Sequence, residues 1–271
     1  MIDKTRLGVD FFDERFGGIF RKRCALCVGR HGSGKTVLAL QALIQSAREG
    51  ERGLLLSAWR APDLSIAAES WGFPLAHELS IGQVVLLEYG DIMPTPAFEK
   101  NMVLPPGSFD EFKEIIEANA IRRVVIDTVL PWVAIPDATQ MTKHIYTLVH
   151  SLETLGVTAL LTLPRPVSPM AFSLRNALEE QIPIVFTLDQ DSTGLRSLLV
   201  NKYLGDKNLP PQIPFSILPG VGICETTASP VPPPSAAKAS EPAAPVETPP
   251  PSAPRGPIRF STAFKDPPPS T

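Results

Sequence analysis

The chain has 271 residues, 44% hydrophobic and 20% charged, which is enough to bury a full globular core. A formal net charge of −3 leaves no overall basic field to draw in nucleic acid or anionic lipid. No apolar run of about 18 residues is present, and Met1-Ile2-Asp3-Lys4-Thr5-Arg6 lacks a signal-peptide core. With three cysteines suited to a reducing compartment, the expectation is a cytoplasmic protein without a membrane span.

In chain order, the apolar run Cys24-Ala25-Leu26-Cys27-Val28 reads as a buried strand, and Val37 to Ile44 as the helix that follows it. Cys24 and Cys27 form a C-x-x-C, but positions i and i+3 of a strand point to opposite faces. No second Cys/His pair lies nearby in sequence, so both read as small buried hydrophobes. Gly53 to Ala58 is a second strand, Pro62 opens a helix that ends by Gly72, and Val84 to Leu87 is a third strand. The stretch Gly90 to Gly107, with four prolines, reads as a long loop.

Ser108-Phe109-Asp110-Glu111 is a capping box that starts a helix to about Asn119. Arg122 to Asp127 is the next strand, Asp137 caps a helix that Gly156 ends, and Val157 to Leu163 is a central strand. From Leu163 to Ile184 the reading is a loop. Ile184 to Leu188, Leu195 to Lys202 and Pro214 to Leu218 are strands joined by short polar turns. The fold class expected is α/β, a mostly parallel sheet flanked by helices with antiparallel C-terminal strands. Residues 228–271 carry 14 of the 30 prolines and no sustained apolar period, so the expected organisation is one domain over 1–227 and a disordered Pro/Ala-rich tail over 228–271.

Between the first strand and its helix lies Gly29-Arg30-His31-Gly32-Ser33-Gly34-Lys35-Thr36, which fills G-x-x-x-x-G-K-[ST] at every fixed position. Its glycines let backbone N–H groups turn toward a polyphosphate, and the helix N-terminus adds partial positive charge. Lys35 is placed to reach the β and γ phosphates, and the Thr36 hydroxyl to take one Mg²⁺ position. A nucleoside triphosphate with Mg²⁺ is therefore the expected ligand. A carboxylate at the end of a core strand should face that metal, and Asp127 fits, although an Asp there also serves simply to turn the chain. Thr162, at the tip of the next strand, is a candidate γ-phosphate sensor.

These pieces together resemble the KaiC-like branch of the RecA superfamily of P-loop ATPases. Leu7 to Ile19 resembles that family's signature just before the first strand, and Val124-Val125-Ile126-Asp127-Thr128 its Walker B strand. Arg196 to Gly205 resembles its "V-x-K-x-R-G" strand, and Pro214-Phe215-Ser216-Ile217 with Gly220-Val221-Gly222-Ile223 its closing signature. The resemblance implies a RecA-like core, ATP with Mg²⁺, and a homo-oligomer with nucleotide at the subunit interfaces, where Lys202 touches a neighbour's nucleotide.

Two departures stand out. Where the family carries paired glutamates, one of which polarises the attacking water, this chain has Trp59 and Arg60, and neither is a base near pH 7. Where the family's "K-x-R" has its Arg, this chain has Leu204. Asp63 and Glu88 are the candidate carboxylates for a replacement base. The expectation is an ATP-binding regulator whose nucleotide state controls assembly or partner choice, with slow or lost hydrolysis. An active ATPase or autokinase using another base is the first alternative. A RecA-like DNA recombination accessory is the second, disfavoured because Arg165 and Arg175 are the only basic residues between Leu163 and Ile184. Ile258, Phe260 and Phe264 near the C-terminus offer a docking segment for a protein partner.

Overall fold

The computed structural model describes residues 2–89, 107–133 and 138–226. The first half runs β1 (Lys4–Thr5), α1 (Asp10–Phe16), β2 (Ile19–Phe20), β3 (Cys24–Gly29), α2 (Lys35–Arg48), β4 (Gly53–Ser57), α3 (Ala61–Ser70), α4 (Leu75–Ser80) and β5 (Val84–Glu88). The second runs α5 (Gly107–Ala118), β6 (Arg123–Asp127), α6 (Leu130–Val133), α7 (Ala138–Thr154), β7 (Thr158–Pro164) and α8 (Pro169–Gln181). It closes with β8 (Ile184–Gln190), β9 (Arg196–Tyr203), β10 (Ile213–Leu218) and β11 (Gly222–Glu225). No helix among the described residues is long and apolar enough to cross a membrane.

β3 to β11 form one nine-stranded sheet in the order β11-β10-β9-β8-β3-β7-β6-β4-β5. From β5 to β8 every pairing is parallel, and from β8 to β11 every pairing is antiparallel. The expected α/β sheet with antiparallel C-terminal strands is therefore present. One detail differs: β8 is a mixed strand, parallel to β3 and antiparallel to β9. A strand flanked on both sides has two pairings, and its own sequence carries no sign of which comes on which side.

Each strand alternates between two cores. Ala25 and Cys27 face the core built with α1 to α4, whereas Cys24, Leu26 and Val28 face the core built with α5 to α8. Cys24 and Cys27 thus lie on opposite faces of β3, and burial raises both thiol pKa values well above the ordinary range. They are inert packing groups.

The unbroken apolar run of α2 follows from its position. The sheet lies under it, and the β10–β11 hairpin folds over its outer side. Gln41, buried in the middle of α2, donates to Gly8 O at 2.6 Å and to Ile223 O at 3.2 Å, and accepts from Ile223 N at 2.8 Å. One side chain therefore ties the helix to both covering segments. A helix buried all round needs no polar face.

The loop expected over Leu163 to Ile184 is corrected to α8, thirteen residues long. The signal was present: Ser168 caps the helix, accepting from Ala171 N at 3.3 Å, and Pro169 occupies the first turn, where a missing N–H costs nothing. α5 begins at Gly107, one residue before the capping box. Asp137, residues 90–106 and the tail from 227 lie outside the described residues.

Candidate functional site

The P-loop joins β3 to α2 at the carboxyl edge of the parallel strands. Gly32 and Gly34 have φ of 76° and 106°, the left-handed region open to glycine, which turns this stretch of backbone back over the start of α2. Gly29 is required for a different reason: a Cβ there would lie 2.4 Å from Ser33 Oγ and 2.6 Å from Leu188 O. Ser33 is fully buried beneath the loop. The Lys35 ammonium folds back on the loop, donating to Gly29 O at 3.0 Å and Arg30 O at 2.7 Å. Burial pulls its pKa below the ordinary lysine value. Arg30 turns its side chain away toward Asp189 at 3.5 Å, so its link to the loop is through its backbone, and His31 is exposed at the rim.

Asp127 ends β6 in register with Ser57 of β4. The Thr36 hydroxyl donates to Asp127 Oδ2 at 2.8 Å, and the Thr162 hydroxyl to Oδ1 at 2.5 Å. The two predicted metal-side residues are thus brought into direct contact. Thr162 is placed otherwise than expected. It is fully buried behind Asp127, so its hydroxyl holds the carboxylate and does not line the cavity. A threonine hydroxyl and a carboxylate side by side are hard oxygen donors, which suits Mg²⁺.

The corner between β4 and α3 divides the two departures. Ala58 N donates to Asp127 O at 2.9 Å, which carries the chain past the strand tip, and Trp59 then turns into the cavity. Arg60 turns out to solvent and pairs with Asp63 at 2.7 Å. Glu88 accepts from Ala61 N at 2.7 Å, at the first turn of α3. Both candidate replacement carboxylates, Asp63 and Glu88, are thus engaged at this corner. Among the described residues, Asp127 is the one carboxylate lining the cavity.

The cavity measures about 380 Å³. His31, Lys35 and Thr36 form one side, with Trp59, Trp71, Arg196 and Ile217 around it. The last three were missed as site residues by sequence reasoning. Trp71 arrives because the β10–β11 turn docks on the end of α3, where Gly220 N donates to Trp71 O at 2.7 Å. A Cβ on Gly72, at φ 75°, would lie 2.5 Å from Gly220 N. Ile217 packs on the loop itself, 3.1 Å from where a Cβ on Gly34 would stand. The Arg196 guanidinium has no hydrogen-bond or ion-pair partner among the described residues, and its Nε is buried. A hint was available, since Arg196 begins the strand that carries the family resemblance.

Lys202 and Leu204 lie elsewhere. Tyr203 pairs with Ile184 at the start of β8, which puts both residues at the amino edge of the parallel strands, away from the P-loop. Lys202 Nζ donates to Glu179 O at 2.6 Å, at the carboxyl end of α8, where a cation complements the helix dipole. Leu204 is exposed. Arg165 and Arg175 are both ion-paired, with Asp189 at 3.6 Å and Glu179 at 2.6 Å.

Fold and site together define a RecA-type P-loop ATPase domain. A model of the KaiC ATPase family matches residues 5–227, and the chain belongs to that family. A UPF0273 protein of Aeropyrum pernix is 27% identical over 229 residues, covering 80% of this chain and 91% of that protein. The circadian clock oscillator protein KaiC of Synechococcus elongatus is 26% identical over 229 residues, covering 80% of this chain but 43% of its own length. The chain therefore spans less than half of that clock relative. The crystal structure of a KaiC-like protein of Pyrococcus horikoshii has the same fold, with a TM-score of 0.67 at 23% identity over 83% of this chain and all of that one.

Proposed function

We propose that this chain is an ATP-binding regulatory module with slow or lost hydrolysis, whose nucleotide state sets its assembly or its partner. The observation that carries the reading is the indole of Trp59, seated in the cavity beside an otherwise complete P-loop, Thr36 and Asp127. In this reading the backbone of residues 29–36 cradles the phosphates and Lys35 leaves its two carbonyls for them. Thr36 and Asp127 hold Mg²⁺, which when bound supplies positive charge against the phosphate oxygens. Arg196, with no hydrogen-bond or ion-pair partner among the described residues, adds a second cation from the same subunit. Binding is provided for, while among the described residues no carboxylate other than Asp127 lines the cavity to take a proton from an attacking water.

Assembly enters through the opposite edge of the sheet. Lys202 donates there to a carbonyl at the end of α8 and Leu204 is exposed beside it; in this reading, which follows the family resemblance, Lys202 meets a nucleotide carried by a second copy and Leu204 leaves out the charge that would accompany it. A ligand that binds the assembled form better shifts the equilibrium toward it. ATP is therefore expected to favour a larger oligomer than ADP, and slow turnover makes that state long-lived. Light scattering of the full chain with each nucleotide and with neither tests this. A monomer under all three conditions, at saturating nucleotide, removes the assembly reading and leaves a single-subunit binding module.

A further inference from the structure

The segment that carries Asp127 is held mostly by its immediate neighbours. Thr36 and Thr162 donate to the carboxylate, and Ala58 N donates to Asp127 O at 2.9 Å. The Thr128 hydroxyl and Val129 N both donate to Thr162 O, at 2.9 and 2.8 Å. One further bond comes from farther away: the Tyr89 hydroxyl donates to Thr128 O. Tyr89 follows the edge strand β5 and Thr128 follows β6, with β4 lying between them. Two strand spacings amount to about 9.5 Å, so only a long side chain spans the gap.

Glu88, Ser57 and Asp127 stand in one row across β5, β4 and β6, so Tyr89 and Thr128 are each one residue past that row. Asp127 and Thr128 line the cavity, and Tyr89 packs on the core that holds Trp132. A phenylalanine would pack on that core equally well. Packing explains the ring, and the hydroxyl is left to be explained by the carbonyl it holds.

We propose that Tyr89 is a positioning residue for the Mg²⁺ carboxylate. Its bond to Thr128 O fixes the 127–128 segment, keeps Asp127 beside Thr36, and so favours Mg²⁺ over Ca²⁺ at that oxygen pair. This rests on the reading that Thr36 and Asp127 hold the metal. Mg²⁺ demands near-octahedral geometry with short bonds, whereas Ca²⁺ accepts six to eight oxygens in looser arrangements. A carboxylate held still therefore suits the smaller ion. Without the phenol, Thr128 O loses its donor, and an unpaired carbonyl turns toward water at a cost to the segment around it. Partners that orient a metal ligand from behind are worth 10- to 100-fold in metal affinity.

The test is calorimetry of the full chain with ATP in Mg²⁺, in Ca²⁺ and in EDTA, on wild type, Tyr89→Phe and Phe112→Leu. The quantity read is the gain in ATP affinity that each metal gives over EDTA. Tyr89→Phe should lower the Mg²⁺ gain roughly tenfold, the lower end of that span. The Ca²⁺ gain should fall less, and affinity in EDTA should stay as in wild type. Phe112→Leu, a change in the same core, should lower the urea midpoint and leave both gains unchanged. Should Tyr89→Phe not fold, the full chain labelled with 3-fluorotyrosine replaces it. The chain has three tyrosines, and Tyr146→Phe and Tyr203→Phe assign the Tyr89 fluorine resonance. Adding Mg²⁺ to the ATP-bound protein should shift that resonance, and Ca²⁺ should shift it less. An unchanged Mg²⁺ gain in Tyr89→Phe, equal losses in Mg²⁺, Ca²⁺ and EDTA, or a Tyr89 resonance that ignores Mg²⁺ overturns the positioning role while the metal reading stands. A wild type that gains nothing from Mg²⁺ removes the metal reading and this one with it, and a wild type that does not bind ATP removes the P-loop reading as well.

Discussion

The P-loop and the β4–α3 corner face each other across one cavity, yet their residues are constrained in opposite ways. The P-loop is fixed by its own backbone: Gly29, Gly32 and Gly34 occupy positions where a side chain would clash or strain the turn, and Lys35 bonds to the loop that carries it. The corner is fixed from outside. Ala58 hangs on Asp127, Ala61 on Glu88, and Trp71 on a hairpin nearly 150 residues further along. A self-contained loop keeps its chemistry in the sequence motif. An externally held corner can exchange a carboxylate for an indole without disturbing its support.

That contrast is broken most directly at Lys35. Lys35→Ala should lower Mg-ATP affinity by roughly 30-fold or more, the scale for removing one partner of a buried charge contact, with the circular dichroism spectrum unchanged. Equal affinity in mutant and wild type, measured by calorimetry, overturns the phosphate assignment.

The corner is tested by restoring what it lacks. Trp59→Glu with Arg60→Glu should raise ATP turnover about tenfold, short of the 10²–10⁴ that a well-placed base supplies, because Leu204 still withholds a charge. The unmodified chain should turn over well below about 1 per second. A steady-state rate above that, in a phosphate-release assay, means that another group acts as the base.

A smaller effect separates support from chemistry. Gly72→Ala places a Cβ against Gly220 N and should cost about 1–3 kcal/mol of stability, the usual size of a forced backbone conformation. Urea unfolding measures it, and a midpoint equal to that of wild type would show that the hairpin does not depend on this contact. Arg60→Ala should do least. Its side chain is in solvent with Asp63, and neither the unfolding midpoint nor ATP affinity should move. A clear loss of ATP affinity there would place Arg60 in the site beside Trp59.

The sequence by itself determined what is local. The eight-residue loop, the strand before it and the helix after it are contiguous, because cradling phosphate needs neighbouring backbone N–H groups. Asp127 was legible for a similar reason, as the last residue of an apolar strand. The alternation of strands and helices made the parallel sheet legible too. The tertiary structure decided everything that depends on distant segments meeting. Trp59 and Arg60 are adjacent and equally foreign to the family pattern, and it is the corner held by Ala58 on Asp127 and Ala61 on Glu88 that has one line the cavity while the other pairs in solvent. Thr162 reads as a tip residue, but its hydroxyl ends behind the carboxylate it holds. Arg196 and Ile217 lie in segments that carry the family resemblance and Trp71 in none, but nothing in their spacing marks any of the three as lining the site. They converge because the β10–β11 hairpin crosses α2 and docks on the end of α3, and a contact made across that span leaves no periodic trace in the chain.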